Sequence, residues 1–219
     1  ILADRLELYE GEEEEVDRFG RFLSRCERWA PDDPGTVDSL MKRMDADGFL
    51  HYMAAQIILA NTDWPEQNVK WWRYTGSPDT LGSPLDCRWR FIMGDSDMGM
   101  GMAVPPTYDM CRHITARRTA PVARLLVVCL RIPALRERFR SIVDELLTGP
   151  LSAERMTAAA RSMHDRIARE MPVHIARWRR PLSVDRWEAH VADVLTFAQQ
   201  RPAAARAEVQ AYLSSFTTP

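Results

Sequence analysis

Asn61-Thr62-Asp63-Trp64-Pro65-Glu66-Gln67-Asn68 follows a long apolar stretch and precedes an aromatic one, and its reading decides the fold. Asp63 and Asn68 stand in a D-x-x-x-x-N arrangement. That spacing lets a carboxylate and an amide oxygen point into one site from opposite ends of a turn. Phosphoryl transfer makes this demand of a protein: a carboxylate orients the acceptor hydroxyl, and a nearby amide oxygen holds magnesium on the nucleotide phosphates. A loop whose Asp and Asn only cap turns fits the same spacing.

The second informative stretch is Phe91-Ile92-Met93-Gly94-Asp95-Ser96-Asp97-Met98-Gly99-Met100-Gly101. Acids at alternate positions followed by glycines suit a magnesium site from which the backbone turns sharply away. An EF-hand matches poorly, because Gly99 stands where a third ligand belongs and Pro106 where the closing Glu should be. A D-x-D site of the nucleotide-sugar transferase type and a plain Asp/Gly turn remain open on these residues alone. Order adds weight. Helix, acid-and-amide loop, strand, strand, metal-binding Asp is the succession found in the large lobe of a kinase.

Working outward, the acidic run Glu12 to Glu15 opens a first helix carrying Val16, Phe19, Leu23 and Cys26 at helical spacing. Pro31 to Gly35 reads as a turn cluster, Val37 to Met44 as a second helix, and Asp47 as the cap of a third. That third helix carries Phe49, Leu50, Met53, Ile57 and Ile58. Val69 to Tyr74 and Arg88 to Met93 read as short strands joined by a long loop, Thr75 to Cys87. From Thr119 onward the pattern is helical: Val122 to Leu130, Leu135 to Leu147, Ser152 to Arg177, and Ser183 to Leu213 with a break near Pro202. The class expected is α+β, mainly α, with a two-stranded element at the site. Trp64, Trp71, Trp72 and Trp89 are expected to bury their rings beneath it.

Composition sets outer limits. Apolar residues are 46% and charged residues 27%, enough for a packed core, and a net charge of −2 gives no overall pull toward nucleic acid or an acidic membrane surface. The longest apolar run, Leu125 to Leu130, falls far short of the roughly 18–20 residues a membrane span needs. Cys26, Cys87, Cys111 and Cys129 form no C-x-x-C pair and read as unpaired thiols, with a disulfide left open. Lys42 and Lys70 are the only lysines against 27 arginines.

With Asn61 to Pro65, Asn68-Val69-Lys70-Trp71-Trp72-Arg73, and Arg88 to Ile92 followed by Asp95-Ser96-Asp97, the chain resembles the CotH family, atypical protein kinases named for spore coat protein H. His174-Ile175-Ala176-Arg177-Trp178, Trp187 and Phe197 to Pro202 resemble that family's C-terminal helices, so the likeness runs from about Leu40 to Leu213. The resemblance implies a kinase-like large lobe that uses ATP and Mg2+ or Mn2+ to phosphorylate Ser or Thr of protein substrates. It also implies an exported, cell-surface or spore-coat setting. In its terms Asp63 is the catalytic acid, Asn68 and Asp95 contact metal and nucleotide, and Asp97 is a second metal ligand or a local support. Such kinases also set a strand lysine against the α- and β-phosphates. Lys42 lies in an expected helix and Lys70 after the loop, so either that lysine belongs to a small lobe upstream of Ile1, the favoured reading, or an arginine stands in for it, or the protein is a pseudoenzyme. A catalytically silent CotH-like module of a surface or coat protein is the alternative.

Overall fold

The computed structural model describes residues 7–30, 33–117 and 119–216. The expected turn at Pro31 and Asp32 lies outside the described residues. The described chain is mainly helical with one small antiparallel sheet, in the order α1 Glu14–Cys26, α2 Pro34–Arg43, α3 Ala46–Leu59, β1 Lys70–Trp72, β2 Arg90–Ile92, α4 Met110–Ala116, α5 Pro121–Arg131, α6 Pro133–Thr148, α7 Ala153–Ile167, α8 Met171–Trp178 and α9 Val184–Ser214.

Helix α3 is the axis of the molecule. It is apolar nearly all round, and Phe49, Leu50, Met53, Ala54, Ile57 and Ile58 have no exposed surface. Helix α6, helix α9 and strand β2 pack against it. Its N-cap is Asp45, whose Oδ1 accepts from the Gly48 N–H at 3.2 Å. The expected cap, Asp47, lies inside the first turn and instead accepts from Arg138 of α6 at 2.5 Å. The last turn of α3 ends at Ala60, whose left-handed backbone (φ 51°) swings the chain away.

An aromatic layer joins the sheet to the helices. Phe19 of α1 lies 4.5 Å from the Trp71 ring and 4.9 Å from Trp89, and Phe49 lies 4.7 Å from Phe91. Both strands are shorter than expected, because the flanking residues turn to other partners. Trp89, for instance, bridges to Met44 in parallel sense. Trp64 and Trp89 are buried and Trp71 is half-buried, but Trp72 is 37% exposed. Alternation along β1 turns Trp72 outward, against the expectation that all four rings are buried.

Three helical expectations need correcting. Helix α4, unforeseen, is capped by Asp109, which accepts from the Arg112 N–H at 2.8 Å. The segment expected as one helix from Ser152 to Arg177 is two, parted at residues 168–170. Pro172, in the first turn of α8, has no N–H for the turn before it, and its ring would strike the Ala168 carbonyl of a continued helix. Helix α9 conversely runs unbroken through Pro202. Its one-sided burial of Phe197, Ala198, Arg201, Ala205, Val209 and Leu213 outweighs the single lost hydrogen bond. All four cysteines are free thiols.

Arg201 is the polar centre of this packing. It has no exposed surface, and its guanidinium donates to the carbonyls of Ile57 (2.7 Å), Ile58 (3.1 Å), Pro106 (2.9 Å) and Tyr108 (2.8 Å) and to Glu208 (2.6 Å). Burial raises the Glu208 carboxyl to about 7 although Arg201 pulls the other way, so the pair's role is placement rather than net Coulomb gain. We predict that Arg201→Met lowers unfolding free energy by about 3–5 kcal/mol, because it leaves Glu208 and four carbonyls buried without their donor. Urea denaturation checks this. A change under about 1 kcal/mol would show that the cluster is dispensable.

Candidate functional site

Two of the expected site residues, Asn68 and Asp95, lie just beyond the open end of the β1–β2 hairpin. Lys70 pairs with Ile92 in the last rung. Extending the antiparallel register by two residues sets Asn68 opposite Gly94, one residue before Asp95. Asn68 (φ 58°) and Asp95 (φ 41°) both hold left-handed backbone, which Asn and Asp tolerate better than other side-chain-bearing residues. At these positions the chain leaves the ladder sharply on both sides.

Two pins fix the loops that carry these residues. The Asn61 side chain, fully buried, donates through Nδ2 to the Asp95 carbonyl (3.2 Å) and to Gln56 Oε1 (3.1 Å). The Met100 N–H donates to the Leu59 carbonyl at 2.8 Å. Gly99 makes the second pin feasible, since a Cβ there would stand 2.9 Å from the Leu59 oxygen. The loop Asn61 to Asn68 and the loop Asp95 to Gly101 are therefore both anchored to the C-terminal turn of α3.

Asp63 is half-buried, and its carbonyl accepts from the Gln67 N–H at 3.0 Å. Asn68 is half-buried, while Asp95 and Asp97 are exposed. Among the described residues no hydrogen bond or ion pair engages the side chains of these four. That sets them apart from Asp33, Asp45 and Asp109, which cap helices, and from Asp86, which is buried under two arginines. The role of turn cap, equally open in the sequence, is not the one these side chains take.

Beside this end lies a cavity of about 840 Å³, within the range of small-molecule sites. It takes in Asn68, Lys70, Trp72 and Arg73, with Tyr9 and Glu15 opposite, but not Asp63, Asp95 or Asp97. Arg73 is held by Glu15 through paired contacts of 2.5 and 2.8 Å, and the hydrogen bond from Arg73 keeps the Glu15 carboxyl below its usual range. Lys70 Nζ lies 5.0 Å from the centre of the Tyr9 ring. Among the described residues no three His, Cys, Asp or Glu side chains gather as a metal cluster. The donor set nonetheless suits a hard cation: an amide oxygen at Asn68 and unengaged carboxylates at Asp95 and Asp97, with water and phosphate for the remaining positions.

Two contributors escaped the reading of single residues. Asn61 heads the quoted loop, and a polar residue directly after an apolar helix was the available signal. His113 belongs to the unforeseen α4. Its Nε2–H donates to the Trp64 carbonyl at 2.9 Å, while Nδ1 accepts from the Tyr108 hydroxyl (3.0 Å) and Arg117 (3.1 Å). His113 thus holds the backbone one residue after Asp63.

The CotH kinase protein family model matches residues 3–205. No curated protein and no solved structure matches the chain.

Burial first, and Arg117 in addition, hold the His113 pKa below its ordinary value. The folded state therefore favours the neutral ring. Its contribution is fully present above the unfolded pKa, near 6.5, and is lost as pH falls through the lower folded value. We predict that wild-type stability drops between pH 7 and pH 5 by more than that of His113→Gln, whose amide can still donate to Trp64. Parallel curves for the two proteins would show that His113 does not carry the effect.

Proposed function

The chain belongs to the CotH kinase protein family, and we propose that it is an ATP- and metal-dependent phosphotransferase acting on Ser or Thr of protein substrates. The observation that carries the reading is the hairpin end. It supports the reading in that two loops anchored to the C-terminal turn of α3 carry four residues of the types phosphoryl transfer needs, with their side chains unengaged. Asp63 accepts a hydrogen bond from the acceptor hydroxyl, orients it toward the phosphorus and takes its proton. Asn68, Asp95 and Asp97 would hold Mg2+ or Mn2+, which would offset charge on the nucleotide phosphates. The buried Asn61 fixes the carbonyl of Asp95, so that the exposed carboxylate leaves from a stationary backbone. Positioning of this kind contributes much of the rate in phosphoryl transfer.

One observation favours the alternative, a silent structural module. Lys42 is paired with Asp38 on the exposed side of α2 at 2.7 Å, and Lys70 follows the Asp63–Asn68 loop, so neither is a strand lysine upstream of that loop. The phosphotransferase reading takes the phosphate-binding lysine from an upstream lobe of the same protein.

Two experiments follow. With its upstream lobe, the protein should transfer phosphate from ATP to itself or to a Ser-rich peptide, and Asp63→Ala should reduce the rate by at least about a hundredfold. A metal-loaded protein inactive across a broad peptide panel would favour the silent module. Independently, Mg2+ or Mn2+ at a hundredfold excess over Kd should raise the melting temperature by about 5–10 °C. Asp95→Asn with Asp97→Asn should remove that rise. Retention of the full rise in the double variant would place the metal elsewhere.

A further inference from the structure

Helices α7 and α8 pack mainly on α9 and, with its first turns, enclose a small core of their own: Met171, Ile175 and Trp187. This arm ends in the turn Arg177-Trp178-Arg179-Arg180-Pro181-Leu182. The turn is a built one. Arg179 closes α8 in left-handed backbone (φ 56°), and His174 Nε2 donates to the Arg180 carbonyl at 2.9 Å.

The surface of this turn combines two unusual features. Its apolar side chains stand out from the protein: Trp178 is 60% exposed and Leu182 77%. Along residues 166–186, Arg166, Arg169, Arg177, Arg179, Arg180 and Arg186 are all exposed. Among the described residues none of the six has an acidic partner. Residues 166–186 hold those six arginines against two acids, Glu170 and Asp185, giving +4 in a chain whose net charge is −2. Elsewhere Arg73, Arg88, Arg138 and Arg201 are all bound to carboxylates. The Arg177 guanidinium instead lies 4.8 Å from the centre of the Trp178 ring, which places cation and indole on the same outward face.

We propose that this turn is a peripheral docking surface for an anionic lipid bilayer. Trp178 and Leu182 enter the headgroup boundary, and Arg177, Arg179 and Arg180 meet lipid phosphates. The geometry favours a bilayer over an acidic protein. A purely acidic protein surface would leave Trp178 and Leu182 in water, whereas a headgroup boundary takes up indole and aliphatic tips together with the arginines beside them. Among the described residues no helix is long and apolar enough to cross a membrane, so attachment by this surface is interfacial. The proposal stands independently of phosphotransfer.

The test is cosedimentation of the whole chain with phosphatidylcholine vesicles, with and without phosphatidylglycerol. The chain should pellet with the anionic vesicles only, and added salt should release it. Arg177→Gln, Arg179→Gln and Arg180→Gln together should lower partitioning about a hundredfold, near fivefold for each charge. Trp178→Ser with Leu182→Ser should lower it at least about tenfold and leave the salt dependence in place. These positions are exposed, so circular dichroism melts should match wild type. Three outcomes would overturn the proposal: no binding to anionic vesicles, equal binding to neutral ones, or binding unchanged in both variants. Binding to polyglutamate without binding to vesicles would assign the turn to an acidic protein. A dimer in sedimentation velocity, lost with Trp178→Ser and Leu182→Ser, would assign it to a second copy of the chain.

Discussion

The Arg201 guanidinium joins three segments by hydrogen bonds at one buried point. It donates to the last carbonyls of α3, to the Pro106 and Tyr108 carbonyls ahead of α4, and to Glu208 further along its own helix. Carbonyls in the final turn of a helix have no partner within the helix and mark the negative end of its dipole. A buried cation answers both conditions. Glu208 also accepts from the Met110 N–H, so the start of α4 is tied to the same point. What depends on this is the C-terminus of α3, the platform to which both site loops are pinned.

From that platform the loops reach the hairpin by short routes. Ala60 turns the chain out of α3, Asn61 anchors the other loop through the Asp95 carbonyl, and Met100 returns to Leu59. The aromatic layer of Phe19, Phe49, Trp71, Trp89 and Phe91 then sets the plane of the sheet against α1 and α3. Rings of this size bury much apolar area for little conformational entropy, which gives a two-stranded sheet the backing it lacks by itself. Backbone positions at the site are therefore held by buried groups, while the side chains at Asp95 and Asp97 remain in contact with solvent.

Much of this was legible in the sequence, and the exceptions have physical causes. Apolar periodicity located α1, α3, α5 and α6 because each buries one or more faces in a single core. Prolines misled in both directions. Pro172 at the start of α8 divides an otherwise periodic run, whereas Pro202 sits in a helix whose packing outweighs the lost bond. Asp45 and Asp47 are both plausible caps by type, and only the partner Arg138, distant in sequence, decides between them. The two-stranded element followed from the order of motif, strand, strand and motif. The roles of Asn61, His113 and Arg201 did not. Each is a polar residue whose partners lie far along the chain, at separations no local pattern encodes.

The central claim is that the hairpin end is a metal-assisted phosphoryl-transfer site built from Asp63, Asn68, Asp95 and Asp97. The most direct measurement is paramagnetic broadening of backbone amide resonances by substoichiometric Mn2+. The account predicts broadening centred on Asn68 and on Asp95 to Asp97, extending to Asp63 and leaving the α7–α8 arm sharp. Broadening centred on the acidic start of α1, or spread evenly over surface carboxylates, would contradict it.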